Sequence, residues 1–123
     1  MRGAVTLVLA RRMGAEEGMM AKVLILLHKR ADLTTDEFRR YWRETHAPLG
    51  ARLPGVRGYV QDHVLPGEGQ MPCDGIAELR FDSPEAFQAA LGSSEGQAAL
   101  ADVENFCDAG RTQVVLVDEV IIA

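Results

Sequence analysis

Two short runs constrain this chain more than anything else in it. Val23-Leu24-Ile25-Leu26-Leu27 and Val114-Val115-Leu116-Val117 are apolar at every position. Each is too brief for an ordinary helix and reads as a strand. A strand whose two alternating faces are both apolar has to be covered on both sides. A sheet built on these strands therefore takes helices on one face and needs a second cover on the other. Another copy of the same sheet would supply that cover, so the strand pattern itself points to a homodimer. Large exposed apolar patches are uncommon on monomers.

The segments around these runs give the order of elements. Lys22–Lys29 is the first strand. "DLTTDEF" carries a helix-start signature, with Thr34 and Glu37 spaced as a capping box and Leu33 and Phe38 as a hydrophobic staple. The helix should run from about Thr35 to Thr45, with Phe38, Tyr41, Trp42 and Thr45 on its inner side. Ala47-Pro48 should stop it near His46. Residues 57–65 and 75–82 read as strands joined by a Gly/Pro-rich loop. Ser83 as cap and Pro84 at the first helical position begin a second helix that Gly92 ends. Ser94 can cap a further helical piece to about Cys107, with Leu100, Val103 and Phe106 inward. Residues 112–122 are the last strand. The order βαββαβ predicts an α+β, ferredoxin-like domain with an antiparallel sheet and helices on one face.

With 123 residues, the chain has room for one domain. The expected division is an N-terminal extension over 1–19, from an upstream start or as an extra strand, and the domain proper over 20–123. The apolar run at 4–10 is too short for a membrane span, and the residues after it do not form a small-residue cleavage site. A net charge of −5 with scattered basic residues argues against nucleic acid. Cys73 and Cys107 are too few for a disulfide framework. No membrane partner and a reducing, cytoplasmic location are expected. Cys107, beside Phe106, reads as core filler.

Chemistry is expected around His46. An imidazole at a helix end can titrate near neutrality and transfer protons, or it can simply cap the last carbonyls. Tyr59, Gln61 and His63 share one face of a strand, an unusual trio for a core and a plausible polar lining. Glu78 points opposite to Ala77 and Leu79, and a buried carboxylate there would need a partner. His28, at the end of the first strand, is a candidate rim residue. Three histidines without close pairing give no metal site, and no residue marks a haem ligand or a phosphate loop.

"DLTTDEFRRYWRETHAPLGARLPGVRGYVQDHV" and "DGIAELRFDSPEAF" resemble the EthD-like family of dimeric α/β-barrel proteins. The resemblance spans about residues 22–122 and is most specific in "YWRETHAPL" and "DGIAEL". It implies a ferredoxin-like protomer whose sheet pairs with a second copy into a barrel, and a role in small-molecule metabolism. The family takes its name from ethyl tert-butyl ether degradation. Relatives on this fold include methylmuconolactone isomerase, polyketide cyclases and cofactor-free monooxygenases, so fold alone does not choose the reaction.

The combined expectation is a homodimer that binds a small apolar, oxygenated or aromatic-like compound between the sheet and the first helix. Phe38, Trp42 and Phe106 would form apolar walls. His46 would be general acid/base, and Tyr59 or His63 would hydrogen-bond a developing enolate. Isomerisation, cyclisation or dehydration without a cofactor fits this set, and so does cofactor-free oxygenation. The competing expectation is a non-catalytic binding or accessory protein.

Overall fold

The computed structural model describes residues 20–123. The segment expected to be an extension, 1–19, lies outside the described residues. Four strands, β1 (Ala21–Leu27), β2 (Gly58–His63), β3 (Gly75–Phe81) and β4 (Gln113–Val117), form one antiparallel sheet in the order β2-β3-β1-β4. The helices are α1 (Thr35–Tyr41), α2 (Ala47–Ala51), α3 (Pro84–Gly92) and α4 (Ser94–Asp102). This is the ferredoxin-like arrangement, with β1 and β3 at the centre and both crossovers carrying helices.

Register decides which side chains meet the helices. Val23 pairs with Leu79 and Leu116, and Ile25 with Ala77 and Val114. These residues share the helical face with Tyr59, Gln61 and His63, because Tyr59 stands opposite Leu79 and Gln61 opposite Ala77. Under the helices, Phe81 and Phe87 anchor one end of the core, and Phe38, Trp42 and Phe106 the other. The alternate residues, Leu24, Leu26, Val60, Ile76, Val115 and Val117, emerge on the face without helices. Val60 is 50% exposed and Val115 44% exposed there. Among these apolar residues Lys22 pairs with Glu78 at 3.3 Å and with Glu119 at 2.8 Å.

Local signals held where capping chemistry fixed them. Thr34 and Glu37 close the capping box, the Ser83 hydroxyl accepts the Ala86 N–H, and Pro84 takes the first helical position. Ser93, rather than Ser94, caps α4, its hydroxyl accepting the Gly96 N–H at 3.0 Å. The last strand is shorter than expected. Val117 already stands opposite Lys22, one residue from the start of β1, so pairing with β1 runs out. Val120, Ile121 and Ile122 are 71%, 79% and 88% exposed.

The largest departure lies at Pro48. The first helix does not stop near His46; it widens into a π-helical segment, Trp42–His46, and continues as α2. In the wide turn the Ala47 N–H donates to the Trp42 carbonyl, five residues back. Pro48 then falls in the first turn of α2, where its missing N–H leaves no interior bond unmade. The extra residue in the turn also changes which side chains face inward. Spacing of four brings Phe38, Trp42, His46 and Gly50 to one side, whereas Thr45, expected inside, is exposed. In a plain α-helix, at about 100° per residue, Gly50 would have drifted roughly 120° from Phe38.

Candidate functional site

The π segment turns His46 under the protein surface, leaving its side chain only 13% exposed. Its Nδ1 lies 2.8 Å from Oδ2 of Asp102, at the end of α4. Asp102 is itself buried, and its other oxygen accepts the Tyr41 hydroxyl at 2.6 Å and the Asn105 amide at 2.9 Å. Burial pushes the Asp102 carboxyl upward, but the donors Tyr41, Asn105 and His46 outweigh it and hold the group below its ordinary value. For His46 burial wins: it lowers the imidazole pKa against the opposing pull of Asp102. Both directions favour a neutral imidazole beside a carboxylate. Nδ1 then carries the proton donated to Asp102, and Nε2 is left as an unprotonated acceptor. The ring packs on Phe106, centroids 4.8 Å apart, which also stacks with Tyr41 at 5.1 Å.

His46 lines an apolar cavity between sheet and helices. Ile25, Leu27 and Leu79 form its sheet side and Phe87, Leu100 and Val103 its helical side. Its volume is about 70 Å³, several times the ~10–15 Å³ that admits one water. Besides His46, the polar side chains on its wall are Tyr59 and Trp42. Two glycines let these rings in. A Cβ at Gly50 would stand 2.8 Å from the Tyr59 ring, and one at Gly75 would stand 2.5 Å from the Trp42 indole. Both positions require a residue without a side chain, because real Cβ atoms do not approach that closely.

A second polar group hangs from β2. Gln61 donates from Nε2 to the Trp42 carbonyl at 3.0 Å and to the Tyr59 hydroxyl at 3.1 Å, and its Oε1 lies 3.0 Å from His63 Nε2. Tyr59 has its pKa raised, chiefly by burial. His63 has its pKa lowered by burial and then by Arg39 and Arg43.

The sequence-derived candidates therefore divide. His46, Tyr59 and Trp42 meet at the cavity. Gln61 holds Tyr59 from behind. His63 is on the expected face but does not line the cavity; it stacks on Trp42 with centroids 4.6 Å apart. The indole thus lies against His63. Phe38 and Phe106 are a layer behind, packing on Trp42 and on His46 respectively rather than forming the wall. His28 is buried at the end of β1, away from the cavity lining. Glu78 is on the opposite face of the sheet, paired with Lys22. Asp102 was not expected. The available signal was its place in the row Ala99, Val103 and Phe106, where a carboxylate interrupts a buried stripe. Cys107 is buried and its thiol is pushed well up by burial. Among the described residues no group of His, Cys, Asp or Glu is arranged to hold a metal ion, and no helix is long and apolar enough to cross a membrane.

The model of the EthD domain matches residues 30–110. The chain belongs to the EthD family. An EthD family protein from Bacillus halodurans C-125 superposes with a TM-score of 0.71 at 25% identity, over 83% of this chain and 100% of that one. A dimeric ferredoxin-like protein of unknown function from Thermobifida fusca YX gives 0.65 at 20% identity, over 82% and 92%. In sequence, an uncharacterised 11.0 kDa protein of the thcB-thcC intergenic region of Rhodococcus erythropolis is 30% identical over 104 residues, 84% of this chain and 99% of the relative. A cofactor-independent oxygenase from Streptomyces nogalater shares the fold at 12% identity, with a TM-score of 0.60 over 85% and 96% of the two chains.

Proposed function

We propose that this EthD family protein is a homodimeric acid/base catalyst acting, without a cofactor, on a small apolar compound that carries a carbonyl group. One observation carries the reading: a buried histidine paired with a buried carboxylate at 2.8 Å borders an apolar cavity. Asp102 fixes the tautomer and orientation of the ring, and Nε2 is the basic atom left for a ligand. A base of this kind removes a proton from carbon next to a carbonyl and returns it elsewhere, which is the core of an isomerisation, cyclisation or dehydration. Tyr59 is the hydrogen-bond donor to the carbonyl oxygen. His63 supports it through Gln61 instead of touching the ligand. The apolar face without helices, and the dimeric state of the Thermobifida relative, support assembly through that face.

Proton exchange tests the reading without knowledge of the natural substrate. With 2-cyclohexenone in D2O, the protein should accelerate loss of the α-proton signals in ¹H NMR. His46→Gln should lower that rate by roughly 10²–10⁴. Equal exchange by wild type and His46→Gln would leave the imidazole as a structural group and favour a binding protein.

A further inference from the structure

Trp42 is fully buried, and among the described residues its indole Nε1–H has no hydrogen-bond partner. Leaving such a donor unpaired in an apolar interior is unfavourable, and native proteins seldom do it without reason. The indole borders the cavity and acts on the Tyr59 hydroxyl, which shares that wall. The indole N–H is near enough to the Tyr59 oxygen to oppose the rise that burial causes in its pKa. The pair falls short of hydrogen-bond geometry, so the N–H remains open to a better acceptor.

The hydrogen-bond chain behind Tyr59 explains what its hydroxyl has left to offer. The Trp42 carbonyl can only accept, so the Gln61 atom facing it is the amide nitrogen, and Gln61 Oε1 faces His63. His63 must then carry its proton on Nε2 and donate it to Gln61. Gln61 in turn spends one N–H on the Trp42 carbonyl and the other on the Tyr59 oxygen. The Tyr59 oxygen is an acceptor in this chain, and among the described residues its own proton has no acceptor. Each donor in the series polarises the next. His63 and Gln61 are therefore positioning residues whose effect ends at the Tyr59 O–H.

We infer that the Trp42 indole N–H and the Tyr59 hydroxyl together form a two-donor seat for one oxygen atom of the ligand, and that the ligand is an uncharged ketone, enone or lactone. This rests on the cavity being the working site of His46. No Lys or Arg is among the residues lining the cavity, so a carboxylate or phosphate would be stripped of water without a counter-charge. A carbonyl oxygen, with two lone pairs, uses both donors. When His46 Nε2 takes a proton from the adjacent carbon, the C–H electron pair becomes a C=C bond and the carbonyl π pair moves onto oxygen. The two donors face the resulting enolate charge. When a conjugated C=C extends the enolate, the oxygen pair re-forms the C=O, the π pair shifts along the system, and the γ-carbon takes the proton back from His46. Without that C=C the proton returns to the original carbon, and in both cases the base is neutral again with no net oxidation or reduction.

Trp42 is the chain's single tryptophan, so ¹⁵N-labelled protein gives one indole N–H cross-peak. Titration of the full chain with 2-cyclohexenone should move that proton downfield to saturation, and cyclohexene, the same ring without oxygen, should not. The shift should persist in His46→Gln, because binding of the oxygen does not need the base. Tyr59→Phe should weaken enone affinity about tenfold, equivalent to about 1.4 kcal/mol, and Gln61→Leu should weaken it by less. If the enone moves the Leu27 and Leu79 methyl signals but leaves the indole unchanged, the two-donor seat is overturned while the cavity reading stands. An equal indole shift with cyclohexene would overturn it as well. If none of these signals responds, the seat and the proposed function fall together.

Discussion

At the scale of single residues, the His46–Asp102 pair sets how the protein should respond to acid. Burial lowers the His46 pKa from 6.5, so the unfolded chain binds this proton more readily than the folded one. Stability from this group is complete above pH 6.5 and is lost as the pH falls through the depressed folded value. Asp102, also lowered, acts from about 3.8 downward, and so the two windows are separate. Urea unfolding should therefore show a loss as the pH falls below 6.5 that is smaller in His46→Gln, the remainder belonging in part to His63, which is lowered too. In ¹H NMR the His46 ring should titrate below 6.5. Asp102→Asn should move it lower still, since the carboxylate is what raises it. A midpoint at or above 6.5 would mean that the ring is solvated or that the pair is ionic. His46 was legible in sequence as a titratable group at a helix break. Asp102 was not, because its partner lies 56 residues away and only the packing of α4 against the first helix brings them together.

At the scale of elements, the Trp42–His46 segment is where local rules and tertiary structure diverge. The residue before a proline is biased out of the helical region, and on that ground the helix should have ended. It continues because a wide turn absorbs the proline, an arrangement often found at functional sites. Strand faces and helix caps were legible because periodicity and capping are local properties. The π turn was not, since nothing in "YWRETHAPL" alone distinguishes it from a helix end. The turn depends on chain length, which gives a sharp test at the exposed Glu44. Glu44→Ala should change stability by no more than about 0.5 kcal/mol. Deletion of Glu44 should cost about 3 kcal/mol or more, because Pro48 is then forced into a helix interior, and it should break the His46–Asp102 bond. Equal midpoints for the two variants in urea unfolding would show that the extra residue has no role in placing His46.

At the scale of the whole molecule, the sheet separates two surfaces. Val115, on β4, faces away from the helices, whereas its neighbour Val114 packs in the core. Val115→Lys should halve the mass seen by light scattering while the enone-induced indole shift survives, because the substitution never reaches the cavity. A wild-type chain that is monodisperse and monomeric at micromolar concentration would overturn the dimer. The same alternation has a consequence for how such a chain can diversify. In β3, Ala77 and Leu79 border the cavity while Ile76, Glu78 and Arg80 face the other way. On the proposed function, ligand preference and assembly would be written on interleaved positions of one strand, and substitution could revise either without disturbing the other. Insertion or deletion has no such freedom: one residue gained inside β3 would exchange the two sets wholesale. Length variation among descendants of this chain should therefore collect in the 66–74 loop, and changes of substrate should arrive as substitutions at alternate strand positions.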